Sequence, residues 1–277
     1  MRADLHIHTS ASDGCWTPEQ VVAEVRSCGI DLFAIADHDT VASVPAAERL
    51  AGDAGLAFLR GVEVSAFLDG HLFHVLAYGI NLEDAALTAL LQENRNRMAR
   101  TSDATLRQLI AAGYEIDLAD YAAYQYDGTR GGWKELNFLI DRGFCVDLSD
   151  YLNNLMAHMP PRQFSFSHPA EVISVIQDAG GVPILAHPGA SLRHCGVCDE
   201  ALRPFLEFGI AGLECYSHYH DEDTTRFCLE WCTHRDLLIT GGSDCHGGFV
   251  GRPLGVPVVD TSDLRLGELR SQVLMPV

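Results

Sequence analysis

Asp4-Leu5-His6-Ile7-His8-Thr9 opens the chain, with Ser12-Asp13-Gly14 close behind. Read as a strand, Leu5 to His8 has a side-chain period of two, which puts His6 and His8 on one face and Leu5 and Ile7 on the other. Two imidazoles then point into one small space, and Asp13, after a short turn, is placed to add a hard oxygen ligand. A single His-x-His is weak evidence for metal, because paired strand histidines also face solvent.

Repetition of one pattern strengthens the metal reading: apolar runs keep ending in polar residues that can bind metal. Phe33-Ala34-Ile35-Ala36 runs into Asp37-His38-Asp39, Phe58-Leu59-Arg60-Gly61-Val62 reaches Glu63, and Leu72-Phe73 meets His74. Val182-Pro183-Ile184-Leu185-Ala186 ends in His187-Pro188-Gly189, Gly212-Leu213 in Glu214, and Leu237-Leu238-Ile239-Thr240 in Gly241-Gly242-Ser243-Asp244-Cys245-His246. Short apolar runs separated by helical stretches predict parallel strands, and such folds assemble their sites at the carboxyl ends of strands. Seven strands are expected, near residues 5, 32, 58, 72, 182, 212 and 237.

The first helix is predicted from Thr17 as N-cap, Pro18 in the first turn, Gln20 completing a capping box and Gly29 as the stop. A second helix is expected over 42–54, ended by Gly55, and Asp69-Gly70 predicts a hairpin into the His74 strand. From residue 82 to 161 no strand-like run occurs. A long helix over 87–112, stopped by Gly113, and further pieces near 118–123, 133–142 and 148–157 predict a helical insertion capping the barrel, closed by Pro160-Pro161. The expected organisation is a barrel from residues 1–81 and 162–277, with the cap at 82–161.

The chain has 277 residues, 47% hydrophobic and 21% charged, the profile of a soluble globular protein with a sizeable core. Nineteen basic against thirty-eight acidic residues give a formal charge of -19, which argues against a long nucleic-acid partner. A small anionic substrate stays admissible, since three divalent ions would concentrate roughly six positive charges where it binds. Nine cysteines without a framework spacing point to free thiols in a reducing, cytoplasmic setting. Cys195 and Cys198 lack a second Cys-x-x-Cys and are expected to be loop thiols, while Cys228 and Cys232 share a helix face and are expected to pack. No apolar run approaches the ~18 residues of a membrane span, and no signal peptide precedes Asp4, so no membrane partner is expected.

Asp-Leu-His-Ile-His-Thr at the start, Ala36-Asp37-His38-Asp39, Ala186-His187-Pro188 and Ser243-Asp244-Cys245-His246 come in one order along the chain. In these four stretches the sequence resembles the polymerase and histidinol phosphatase (PHP) family of metal-dependent phosphoesterases, over nearly its whole length. The resemblance implies a distorted seven-stranded (β/α) barrel of the α/β class with up to three divalent ions. By the family pattern, His6, His8 and Asp244 hold one ion. Glu63 bridges to a second, held with His74 and His187, and Asp13, His38 and His246 hold a third. Six imidazoles with three carboxylates suit Mn²⁺, Fe²⁺ or Zn²⁺ better than Mg²⁺ or Ca²⁺. Some family members have His where Asp13 stands, so the third site is harder and manganese is preferred. Glu214, Asp37 and Asp39 are expected to orient ligands rather than bind metal.

The chemistry so implied is attack on a phosphoryl group by a hydroxide bridging two ions, with no protein nucleophile. Cys245 is then a spacer. Substrate contacts are expected from Arg130 and Lys134, which stand at a glycine turn entering a helix, and from Arg193 and His218 on loops after strands, His218 as acid or phosphate contact. Tyr216, Tyr126 and Trp133 are candidates to stack on a base, although such aromatics are more often core.

The favoured function is removal of the 3′-phosphate from a nucleoside 3′,5′-bisphosphate, giving the 5′-mononucleotide. A 5′-to-3′ exonuclease on short RNA is the main alternative. It needs a basic track that the sequence does not display, since Arg95 to Arg100 reads as a solvated helix face. A non-enzymatic PHP module conflicts with the full ligand set, and a histidinol phosphate phosphatase needs no second phosphate site.

Overall fold

The computed structural model describes residues 1–276. The chain opens β1 (Arg2–Ile7), α1 (Pro18–Ser27), β2 (Leu32–Ile35), α2 (Val44–Ala54) and β3 (Ala57–Leu68), with the three strands parallel. Thr17 and Gln20 form the expected reciprocal capping box at the start of α1, and Gly55, at φ 72°, ends α2. β4 (His71–Tyr78) returns antiparallel through Asp69 and Gly70, at φ 49° and 87°, the left-handed geometry of a tight hairpin.

No strand occurs between β4 and residue 181. The segment holds α3 (Ala85–Ala111), α4 (Leu118–Ala123), α5 (Lys134–Asp141), α6 (Leu148–Asp150) running into a π-helical turn over Tyr151–Leu155, and α7 (Pro169–Asp178). The second half of the barrel follows as β5 (Val182–Leu185), α8 (Pro188–Ser191), α9 (Asp199–Phe208), β6 (Gly212–Ser217), α10 (Glu222–His234), β7 (Leu238–Gly242) and a two-residue β8 (Val259–Asp260). The sheet order is β7-β6-β5-β4-β3-β2-β1-β8. β7 comes back to β1 through a parallel bridge of Ile7 with Cys245, where the His8 N–H donates to the Cys245 carbonyl at 2.9 Å. Gly242 lies so close to His6 that a Cβ there would overlap it, so the sheet is nearly closed. All seven expected strands are present. β8, which pairs with the outer edge of β1, is too short to carry a period in sequence.

Two expectations need correction. Leu5 and Ile7 do not share a cluster: Leu5 packs with Leu59, Leu76, Tyr78 and Ile184, whereas Ile7 packs with Val21, Val25, Phe33 and Phe58 under α1 and α2. The register of β1 against β2 shifts between Asp4 and Ile7, and that irregularity breaks the simple alternation. Nor is the long helix α3 packed wholly apart from the barrel. Leu87, Leu90 and Leu91 of α3 belong to the large cluster beneath α7, α9 and α10, while Leu106 and Leu109 join Leu136, Phe138, Leu139 and Tyr151 in a separate cluster. One helix is thus shared between the two.

Asp4 ties the carboxyl end of β7 to β1. Buried in β1, it accepts N–H bonds from His6 (3.3 Å) and Ser243 (2.9 Å) on one oxygen and from Gly255 (2.9 Å) on the other. Asp4→Ala leaves three interior donors without an acceptor, each costing ~1–3 kcal/mol, so chemical denaturation should show a loss of at least about 3 kcal/mol. A loss below 1 kcal/mol would mean that the loops re-pair with water.

Candidate metal centre

The sequence brings nine ligand-type side chains to one end of the barrel. His6 comes from β1 and His8 from directly after it, Asp13 from the following turn, His38 from just after β2, and Glu63 and His74 from the paired β3 and β4. His187 follows β5, and Asp244 and His246 follow β7. Glu63 lies at the centre. Its Oε2 is 3.3 Å from His6 Nε2, 3.3 Å from His8 Nε2 and 3.1 Å from His38 Nδ1. Its Oε1 is 3.2 Å from His74 Nδ1 and 2.8 Å from His187 Nε2. Asp244 Oδ1 approaches His8 Nε2 at 2.9 Å and His6 Nε2 at 3.5 Å, and Asp13 Oδ1 approaches His246 Nε2 at 3.2 Å and His8 Nδ1 at 3.6 Å.

Three overlapping groups have a spacing suited to an ion: His6, His8, Glu63 and Asp244; His38, Glu63 and His74; and His8, Asp13, His38 and His246. The family pattern assigns His8 and His38 to one ion each, whereas here each stands in two groups. His187 reaches Glu63 without completing a group of its own. Two of the nine, His187 (φ 27°) and Asp244 (φ 53°), have left-handed backbone, as does Asp39 beside His38 (φ 51°). Such backbone is costly for non-glycine residues and collects at functional sites.

Carboxylates around the cluster fix its parts. Glu214 binds His6 Nδ1 at 2.9 Å and accepts the His187 N–H at 2.8 Å, orienting an imidazole as expected. Asp37 and Asp39 touch no ring in this way. Asp37 accepts from Thr9 N, Thr9 Oγ1 and Ser12 Oγ, which holds the turn that carries Asp13. Asp39 accepts from Ser65 N, Ser65 Oγ and Asn94 Nδ2, which locks β3 to α3. His220, which the sequence did not single out, accepts the Gly189 N–H at 3.0 Å and so secures the loop after His187.

The electrostatics are those of a site built for cations. Burial opposes charge on Glu63 and Asp244, yet the surrounding imidazoles hold both carboxyls well below their ordinary values, and Asp13 likewise. Burial disfavours the charged His8 ring too, but the adjacent Asp244 and Glu63 carboxylates outweigh it and push His8 up to about 10. His38, where burial dominates, falls to about 3. Asp13 Oδ1, His38 Nδ1, Glu63 Oε2, His187 Nδ1 and Asp244 Oδ1 are buried and make no hydrogen bond. Glu63 Oε2, close to three ring nitrogens yet bonded to none, marks lone pairs converging on a common point. The donor set therefore fits divalent ions. Burial pushes the Cys245 thiol up to about 11, which disfavours the thiolate that nucleophilic attack would need.

Two cavities, of about 400 and 450 Å³, open on this cluster and share Asp13, His38, His74, Leu72 and Trp133. The first adds Arg95, Arg162, Met98, Phe164 and Phe166; the second adds His187, Tyr219, Asp244, His246 and Arg252. Arg130, Lys134, Arg193 and His218 line neither. Arg130 is held by Asp141 at 2.8 Å, and Lys134 lies over the Tyr121 ring. Arg193 and His218 are exposed. The glycine turn offers no free amides: Gly131 N–H donates to the Gly128 carbonyl and Gly132 N–H to the Asp13 carbonyl. Arg97 and Arg100 pair with Glu93 on the solvated face, as expected, but Arg95 turns to the cavity. Of the three aromatics, Trp133 lines both cavities and Tyr126 and Tyr216 line neither. Arg95, Arg162, Tyr219 and Arg252 went unrecognised as cavity residues, since no local motif marks them.

A nearly closed α/β barrel with histidines and carboxylates gathered at its strand ends is the arrangement of a metal-dependent hydrolase. Residues 4–147 match the PHP domain, and the chain belongs to the PHP family. It is 28% identical over 270 residues to the phosphoribosyl 1,2-cyclic phosphate 1,2-diphosphodiesterase of Eggerthella lenta, covering 90% of this chain and 95% of that one. It is 30% identical over 259 residues to the 3′,5′-nucleoside bisphosphate phosphatase of Chromobacterium violaceum, covering 91% and 90%. A 5′-3′ exoribonuclease of Salmonella typhimurium is 32% identical over 199 residues, 67% of this chain and 65% of that one. A solved structure from Bifidobacterium adolescentis, described as a metal-dependent phosphoesterase, superposes with a TM-score of 0.81 at 26% identity, covering 98% and 96%.

Manganese added to metal-free protein should raise the melting temperature, each ion contributing about 2.7 kcal/mol at a hundredfold excess over its dissociation constant. Glu63→Gln, which weakens two of the three groups at once, should remove most of that shift. An unchanged shift in the variant would place the ions elsewhere.

Proposed function

We propose that this enzyme removes one phosphate from a small ribose derivative carrying two phosphate groups, most specifically the 3′-phosphate of a nucleoside 3′,5′-bisphosphate. The observation that carries the reading is the nine-residue cluster centred on Glu63 with two small, cation-bearing cavities at its mouth. Relatives matching nine-tenths of the chain are named for substrates of this kind, a nucleoside bisphosphate and a phosphoribosyl cyclic phosphate. The second of those names supports an alternative, hydrolysis of a cyclic phosphodiester on a phosphorylated ribose. The exonuclease reading fits less well, because much of the surface arginine is already paired: Arg130 with Asp141, Arg142 with Asp120, Arg203 with Asp199.

His6, His8, Asp13, His38, Glu63, His74, His187, Asp244 and His246 would hold two or three divalent ions, with manganese preferred for the hard Asp13 position. Ions held by these residues would supply a water activated as nucleophile and positive charge facing the phosphoryl group. Glu214 fixes the His6 ring through Nδ1 and so turns Nε2 toward the cluster. His38 and His74, with side chains 26% and 17% exposed, form the side of the cluster that substrate reaches, whereas His6, His8 and Glu63 are fully enclosed. The helical segment 82–161, with Trp133 as a shared wall, acts as the cap that sets specificity. Nine free cysteines favour a reducing, cytoplasmic location, and among the described residues no helix is long and apolar enough to cross a membrane.

A phosphate-release screen with Mn²⁺ tests this, comparing nucleoside 3′,5′-bisphosphates, mononucleotides, a ribose cyclic phosphate bearing a 5-phosphate, and 5′-phosphorylated RNA of increasing length. Efficiency should peak at a single nucleoside and fall as nucleotides are added; faster turnover of trinucleotides would establish the exonuclease instead. Arg95, the exposed cation of the first cavity, should contact the phosphate that is kept. Arg95→Ala should lower kcat/KM for the bisphosphate roughly tenfold or more, and leave a simple monophosphate ester nearly unchanged. Equal losses on both would assign Arg95 to the fold, through its bond to the Asp39 carbonyl.

A further inference from the structure

We propose that Arg252 grips the phosphoryl group being cleaved, an assignment that rests on the phosphoesterase reading above. The residue lies on the loop after β7, and that loop is pinned on both sides. Beyond it, the Gly255 N–H donates to Asp4 at 2.9 Å. Before it, Phe249 packs onto Gly131 and Gly132 so closely that a Cβ on either would come within 2.7 Å of its side chain. Between these anchors the Arg252 side chain is 15% exposed and lines the second cavity.

Its orientation is fixed by two residues, Asp244 and Tyr219. Nη1 donates to the Asp244 carbonyl at 3.0 Å and to Asp244 Oδ2, and the guanidinium carbon stands 4.9 Å from the centre of the Tyr219 ring. A guanidinium carries five N–H donors, and these bonds use Nη1 alone. Among the described residues Nε and Nη2 donate to no protein acceptor, so this edge stays open to a ligand in the cavity that Arg252 lines. The Asp244 carboxylate thus spans two neighbourhoods. Oδ1, without a hydrogen bond, faces His6 and His8 in the ligand cluster, and Oδ2 holds Arg252. The free edge of the guanidinium is thereby set one carboxylate away from the cluster.

A tetrahedral phosphoryl group meeting that cluster directs its remaining oxygens into the cavity. A planar fork matches two such oxygens, and its rigid attachment means that little entropy is lost on binding. The simpler explanation is that Arg252 only neutralises Asp244. That role would use its Nη1 bond but not the unpaired edge.

The two roles separate by titrating inorganic phosphate into manganese-loaded protein, with metal content measured on the same samples. Arg252→Gln should keep its metal and bind phosphate roughly 10- to 100-fold more weakly, and kcat/KM for an aryl phosphate should fall by at least as much. Arg252→Lys, which keeps the charge without the fork, should recover part of the phosphate affinity and also serves if the glutamine variant does not fold. Phosphate affinity per loaded centre equal to wild type in both variants would overturn the proposal, whether or not metal is lost, because Arg252 would then serve Asp244 alone. A loaded wild-type protein that neither binds phosphate nor releases it from any ester would overturn the phosphoesterase reading itself, a result visible before any variant is made.

Discussion

A carboxylate with no exposed surface, ringed by five imidazoles, is the constraint on which the barrel turns. Removing Glu63 from water is costly by several kcal/mol for an ion of its size, and nothing apolar compensates for it. Compensation comes from His6, His8, His38, His74 and His187, which arrive on β1, on β4 and on the segments just after β1, β2 and β5. The sheet must close far enough for those segments to meet. Closure and cluster therefore require each other, and Asp4, which joins β1 to the residues after β7, lies beneath both.

Much of this was legible in sequence because chain direction fixes where a parallel strand ends. His38, His187 and Asp244 each follow an apolar run and each occupy the mouth. Glu63 sits inside a strand that continues to Leu68, but the same apolar run led to it. Capping chemistry is equally local, so Thr17 and Gln20 gave the start of α1. What was hidden depends on contacts distant in sequence or on irregular backbone. The shift in β1 separates Leu5 from Ile7 without a glycine or proline to mark it. The sharing of α3 between two clusters is invisible to a rule that looks only for strands.

The cations show the same limit more sharply. Arg130 follows a glycine-rich turn pattern, yet a carboxylate eleven residues on, Asp141, captures it. Gly131 and Gly132 are required not by an anion but by Phe249, which a side chain at either position would strike. Arg252 carries no motif, and only the folded chain places it between Tyr219 and Asp244. A residue type at a suggestive spacing locates a converging cluster well, because its members all stand at strand ends. It locates the cations that line a cavity poorly, because any nearby carboxylate can draw them aside.

This bears on the size of the substrate. With a formal charge of -19 and surface arginines tied to acidic neighbours, the exterior repels a phosphate chain approaching from a distance. Arg95 and Arg162 line one cavity and Arg252 the other, with Trp133 and Leu72 common to both, although Arg162 also pairs with Glu135 at 3.0 Å and Arg252 with Asp244. The attraction that an anion meets therefore lies at the mouth of the barrel, beside the ligand cluster, rather than on the exterior.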